Sequence, residues 1–164
     1  MFDGWYSDKE LTKPYKAEDK ITASMTLYAS WKIDPVRQLT MTIGEKSAQV
    51  FGQTKTNDVA PKIVNDLAML PARFVAENLG AEVKWNGEKE LVTITGKNLK
   101  TGEDVTILIT IGAENAVVNG KEIRLDSAAF IENDRTYTPI RFFSEHLGAS
   151  VEWIETEQKV VITK

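Results

Sequence analysis

The chain has 164 residues, 42 % of them hydrophobic and 27 % charged, with a net charge of -4. That composition is globular, lacks the basic footprint of a nucleic-acid binder and contains no apolar run near the ~18 residues of a membrane span. Cysteine is absent and His146 is the single histidine, so thiol catalysis, disulfides and thiolate metal sites are excluded.

In chain order, residues 2–31 come first and are rich in aromatics: Trp5, Tyr6, Tyr15, Tyr28 and Trp31. The start, Met1-Phe2-Asp3-Gly4-Trp5, has neither the basic residues nor the apolar core of a signal peptide. From Thr40 onward the chain repeats itself. Met41-Thr42-Ile43-Gly44 returns 68 positions later as Ile109-Thr110-Ile111-Gly112, and the register then holds without a gap. Asn65-Asp66 meets Asn133-Asp134, Pro71-Ala72-Arg73-Phe74 meets Pro139-Ile140-Arg141-Phe142, and Leu79-Gly80-Ala81 meets Leu147-Gly148-Ala149. Trp85 meets Trp153, and Val92-Thr93-Ile94-Thr95 meets Val160-Val161-Ile162-Thr163.

Each copy is predicted to open with a strand, Thr40 to Ile43 or Leu108 to Ile111, ending at Gly44 or Gly112. Asn119-Gly120 predicts a tight hairpin, since both residues accept the positive φ angles of a type I′ turn; the first copy keeps only Gly52 there. Asn65-Asp66 and Asn133-Asp134 predict a second turn followed by a short strand. Pro71 and Pro139 sit at the first helical position of two short helices, Ala72 to Leu79 and Ile140 to Leu147, closed by Gly80 and Gly148. Phe74, Val75 and Leu79, with Phe142, Phe143 and Leu147, are the expected buried stripes. Ala81, Val83 and Trp85 then alternate with Glu82 and Lys84, and a last strand runs Leu91 to Thr95 or Lys159 to Thr163. The Leu91 to Ile111 segment forms a hairpin that welds the copies together. The fold class expected is α+β, mostly antiparallel β with one short helix per repeat, two pseudo-symmetric repeats (about 40–95 and 108–163) fused into one domain.

The run Thr136-Tyr137-Thr138-Pro139-Ile140-Arg141-Phe142-Phe143-Ser144-Glu145-His146-Leu147-Gly148-Ala149, echoed by Leu70-Pro71-Ala72-Arg73-Phe74-Val75-Ala76-Glu77-Asn78-Leu79-Gly80-Ala81, resembles the copper amine oxidase N-terminal-like, or stalk, domain over residues 38–164. That resemblance implies an exported or cell-surface protein of a Gram-positive bacterium, with copper elsewhere in the oxidases themselves. Phe2-Asp3-Gly4-Trp5-Tyr6-Ser7-Asp8-Lys9-Glu10 and Met25-Thr26-Leu27-Tyr28-Ala29-Ser30-Trp31 resemble the second half of a Listeria–Bacteroides repeat, a β-grasp-like surface module. Residues 1–33 are then the C-terminal half of that module, and the chain is a fragment of something longer.

Arg73 and Arg141 each precede a glutamate, Glu77 or Glu145, by four residues, one helical face apart. An ion pair is the favoured reading and an anion-binding guanidinium the alternative. Trp85 and Trp153 are expected to pack rather than to stack on sugar. His146 replaces Asn78 of the first copy, which argues against a duplicated catalytic role. The candidate ligand contacts are Trp5, Tyr6, Trp31, Arg73 and Arg141. No catalytic residue, cofactor or metal is expected. The function expected is a non-catalytic extracellular structural or adhesion module, with a cell-wall glycan or carbohydrate-binding module as the alternative and a hydrolase behind both. Its partners are neighbouring domains of a larger surface protein, cell-wall polysaccharide, or a host or extracellular protein.

Overall fold

The computed structural model describes residues 2–16, 18–20, 24–31 and 37–164. The chain divides into two compact units, Met1–Pro35 and Val36–Lys164.

In the first unit, β1 (Phe2–Tyr6), β2 (Pro14–Tyr15) and β3 (Tyr28–Trp31) form an antiparallel sheet in the order β2-β1-β3. The turn after β1 is tied by the Asp8 carboxylate, which accepts hydrogen bonds from the Thr12 and Lys13 amides at 3.1 and 2.7 Å. The Thr12 hydroxyl, which donates to the same carboxylate, and then these amide bonds hold the Asp8 carboxyl below its ordinary range.

The second unit begins with β4 (Gln38–Thr42), β5 (Ser47–Val50), β6 (Gln53–Thr56), β7 (Lys62–Val64) and β8 (Leu67–Pro71), followed by α1 (Ala72–Asn78), β9 (Glu82–Asn86) and β10 (Leu91–Lys97). The same series returns as β11 (Asp104–Thr110), β12 (Asn115–Val118), β13 (Lys121–Arg124), β14 (Phe130–Glu132), β15 (Arg135–Pro139), α2 (Ile140–His146), β16 (Ser150–Ile154) and β17 (Lys159–Thr163). The unit is α+β: mostly antiparallel strands, with one short helix in each half.

Neither copy builds a sheet alone. One five-stranded sheet runs β16-β17-β4-β5-β6 and the other β13-β12-β11-β10-β9, so each takes three strands from one copy and two from the other. The expected hairpin joins β10 to β11 in the register Leu91↔Thr110 through Thr95↔Thr106. A second seam joins β17 to β4, from Lys159↔Thr42 to Thr163↔Gln38. Its partners are those of the hairpin shifted by 68 positions, with no covalent turn between them. A third sheet, β14-β15-β8-β7, also crosses the copies. There Leu70 faces Thr138, its own counterpart, so the pseudo-twofold axis passes through that pair.

Both copies fill one core. Leu39 and Met41 from β4, Ile94 from β10, Ile107 and Ile109 from β11, and Ile162 from β17 are all 0 % exposed. Val75 of α1 and Phe143 of α2 join the same cluster. Each buried aliphatic or aromatic side chain of this size contributes about 1.5–3 kcal/mol, and that burial, shared across the copies, binds them together.

Local chemistry explains the joints. Asn65, Asp66, Asn133 and Asp134 all have positive φ, the geometry of the tight turns β7–β8 and β14–β15. Phe51 and Gly52 adopt the conformation of Asn119 and Gly120, although Phe51 is a poor residue for it. Asn119 anchors its turn by accepting from the Thr106 amide at 2.8 Å; the ring of Phe51 instead lies 3.7 Å beneath the Lys164 ammonium. Each helix ends in a Schellman motif, Ala81 N–H to Ala76 O and Gly80 N–H to Glu77 O, repeated by Ala149 to Ser144 and Gly148 to Glu145.

Pro71 and Pro139 stand one residue earlier than the helical position assigned from sequence. They are N-caps, with ψ of 107° and 113°, and at the same time the last residues of β8 and β15. Strand passes directly into helix, and the fixed proline φ satisfies both.

Candidate functional site

Trp5 and Trp31 lie on the sheet of the first unit, 46 % and 71 % exposed, linked edge-to-face through Phe2 at 5.5 and 5.4 Å. Tyr6 is half-buried, and its hydroxyl donates to Asp3 at 3.3 Å. Phe2 is the member of this aromatic group that sequence reasoning missed.

Arg73 and Arg141 occupy equivalent helix positions but have different surroundings. Arg73 Nη1 donates to Glu77 at 3.1 Å and to the Val83 carbonyl at 2.8 Å. Arg141 Nε lies 3.8 Å from Glu145. Arg73 lines a groove of about 670 Å³ on the second unit, and Arg141 does not.

Both copies build that groove. The first supplies the α1 face with Arg73 and Glu77, the β9 residues Val83 and Trp85, and Asp58 beyond β6. The second supplies Ile131, Asp134, Arg135 and Thr136 from the β14–β15 hairpin. Arg135 donates from Nε to Asp58 at 3.0 Å and again from Nη2, while its Nη1 bonds the Asp134 carbonyl at 3.0 Å. The Arg135 hydrogen bonds and charge hold the Asp58 carboxyl below its ordinary range, and Asp58 in turn raises the guanidinium. Behind them Asn57 is buried and bonds the Val59 carbonyl.

Trp85 departs from the packing role expected of it. It is 42 % exposed and lines the groove, whereas Trp153 packs against the core. Sequence reasoning did not single out Arg135 or Asp58. The available signal was a break in the repeat: Asn65-Asp66-Leu67 returns as Asn133-Asp134-Arg135, a charge where the other copy is apolar.

His146 has a local role. Its Nδ1 lies 2.7 Å from the Phe142 carbonyl, four residues back, and its ring is 4.7 Å from that of Phe142. Asn78 does the same in the first copy, donating from Nδ2 to the Phe74 carbonyl at 2.7 Å. The swap between copies preserves one helix-end hydrogen bond. Asn98 and Leu99, from the loop after β10, close the same helix end by donating to the His146 and Leu147 carbonyls at 3.1 and 2.8 Å. Gly148 permits that approach, since a Cβ there would lie 2.6 Å from Asn98 Oδ1.

The sequence pattern of the copper amine oxidase N-terminal domain matches residues 17–94 and again 95–162. The first match starts inside the stretch read from sequence as a Listeria–Bacteroides module. A protein of Brevibacillus choshinensis named "Protease inhibitor" is 29 % identical over 126 residues, covering 72 % of this chain and 32 % of its own length. The chain thus spans about a third of that curated relative. Copper does not fit the donors present: the lone imidazole is engaged at Nδ1, cysteine is absent, and no group of three His, Cys, Asp or Glu that could hold a metal occurs among the described residues.

Proposed function

Because this chain belongs to the copper amine oxidase N-terminal domain family, we propose that it is a non-catalytic structural or adhesion module of a bacterial surface or secreted protein. The carrying observation is the strand exchange between copies. Residues that recur in both halves, the N-cap prolines, the Schellman glycines and the buried β10 and β17 aliphatics, all serve one interlocked body. A body closed by two matching seams suits a spacer that holds neighbouring domains apart. Fractionation and surface labelling of intact cells test the location, and recovery in the cytoplasm overturns it. Turnover of ester, glycoside or peptide substrates by the purified chain would overturn the non-catalytic role.

A second reading, attachment to cell-wall glycan, draws on the open aromatic group Phe2, Trp5 and Trp31. Pull-down on purified wall material separates the two, with Trp31→Ala expected to abolish retention if this reading holds. A protease-binding role rests on the name of the Brevibacillus relative, and inhibition assays with secreted proteases test it. For residues 2–31 a Listeria–Bacteroides-type module rests on the sequence resemblance alone, and the family match reaching back to residue 17 competes for its second half.

A further inference from the structure

Trp85 and Trp153 hold the same place in the repeat, yet one is 42 % exposed in a groove and the other lies on the core. Leaving a large indole open forgoes burial that its counterpart obtains. The groove beside Trp85 is also the more polar of the two equivalent places. Asn57, Arg135 and Thr136 line it, where the other copy has Leu125, Leu67 and Ala68.

The polar groups around the indole are held by their own chain. Arg73 is fixed by the Val83 carbonyl and Glu77, and Arg135 by Asp58 and the Asp134 carbonyl. Fork-shaped donors and carboxylate acceptors held in advance lose little freedom on meeting a ligand. Two guanidiniums against Asp58, Glu77 and Asp134 leave the groove with one net negative charge, which selects for neither a polyanion nor a polycation. A sugar ring matches this chemistry: its C–H face packs on an indole, and its hydroxyls both donate and accept. A groove of about 670 Å³ lies within the size range of small-ligand sites.

We propose that this groove binds a neutral oligosaccharide, one sugar ring stacked on Trp85 and its hydroxyls held by Arg73, Glu77, Asp58 and Arg135. The inference goes beyond the structural role and does not depend on it. It also assigns glycan binding to residues of the second unit rather than to the aromatic residues of the first that sequence favoured.

The test titrates the full chain with chitotetraose, cellotetraose and mannotetraose, followed by calorimetry and tryptophan emission. At least one of the three saturates. Trp85→Ala weakens that binding about tenfold or more, and Arg135→Leu weakens it. An unaltered denaturation midpoint shows that the Trp85→Ala variant is folded, as its position outside the core allows. The proposal is overturned if none of the three saturates, if binding survives Trp85→Ala, or if Trp31→Ala is the variant that abolishes it. Trp85-dependent binding of an extended peptide, with no sugar binding, would make the groove a protein-docking site and equally overturn it.

Discussion

Arg135 stands where the first copy has Leu67, and Trp85 lies open where Trp153 packs down. Between the halves of the second unit, strand order, turn geometry and helix caps agree, while the surfaces over the two helices diverge. Duplicated sequence thus kept the turns, the caps and the β10 and β17 aliphatics, while the buried residues around the helices changed as well as the grooves: Ala72 and Val75 return as Ile140 and Phe143. The loop after β10 adds to the divergence. It closes the end of α2, whereas a Cβ at Gly80, the matching cap of α1, would meet no atom within 4 Å.

The largest effects are expected at the two seams that join the halves. Ile94 and Ile162 are counterparts, each fully buried in a central strand. Alanine at either position is expected to cost about 2–5 kcal/mol by chemical denaturation, and the two losses should be close to equal. A much smaller loss at Ile162 would show that the seam lacking a turn is looser than the hairpin.

Next in size is a difference inside the core. Thr138 is 0 % exposed and faces Leu70 across the pseudo-twofold axis, and its hydroxyl has no hydrogen-bond partner among the described residues. Thr138→Val removes that hydroxyl at nearly constant shape and is expected to raise stability by about 1 kcal/mol. A loss of stability would mean the hydroxyl is satisfied in solution.

Arg135→Leu copies the other half of the molecule into the groove. The folded-state carboxyl of Asp58 is lowered by Arg135, so this pair contributes stability above the ordinary aspartate range and loses it as pH falls through the lowered value. Wild type should therefore exceed the variant slightly at neutral pH, with the gap closing as pH falls below the ordinary aspartate range. A gap that persists in acid would assign the effect to packing. The smallest expected change is His146→Asn, which recreates Asn78. Denaturation should move by less than about 0.5 kcal/mol, and a larger loss would show that the imidazole packs on Phe142 in a way an amide cannot replace.

Much of the fold was legible because its signals are local. A proline next to a helix start, a glycine with φ of 94° or 84° at a helix end and an Asn-Asp pair at a tight turn are each answers to one or two backbone angles. Phe51 shows the limit of reading residues singly: only its alignment with Asn119 reveals the turn. The β17–β4 seam was within reach by symmetry, since pairing β10 with β11 leaves β17 needing β4. It was not read because strands far apart in sequence carry no local mark of their partner. The groove was less legible still. Its indole matched the packing pattern of Trp153, and Arg135 and Asp58, 77 positions apart, meet only after the copies exchange strands.

By itself, then, the sequence determined the repeat, its helix boundaries to within a residue and most of its turns, because these follow from steric and hydrogen-bonding limits on neighbouring residues. Tertiary structure alone decided that Asp58 and Arg135 meet in one groove and which of two equivalent tryptophans stays open, because both depend on contacts between distant segments.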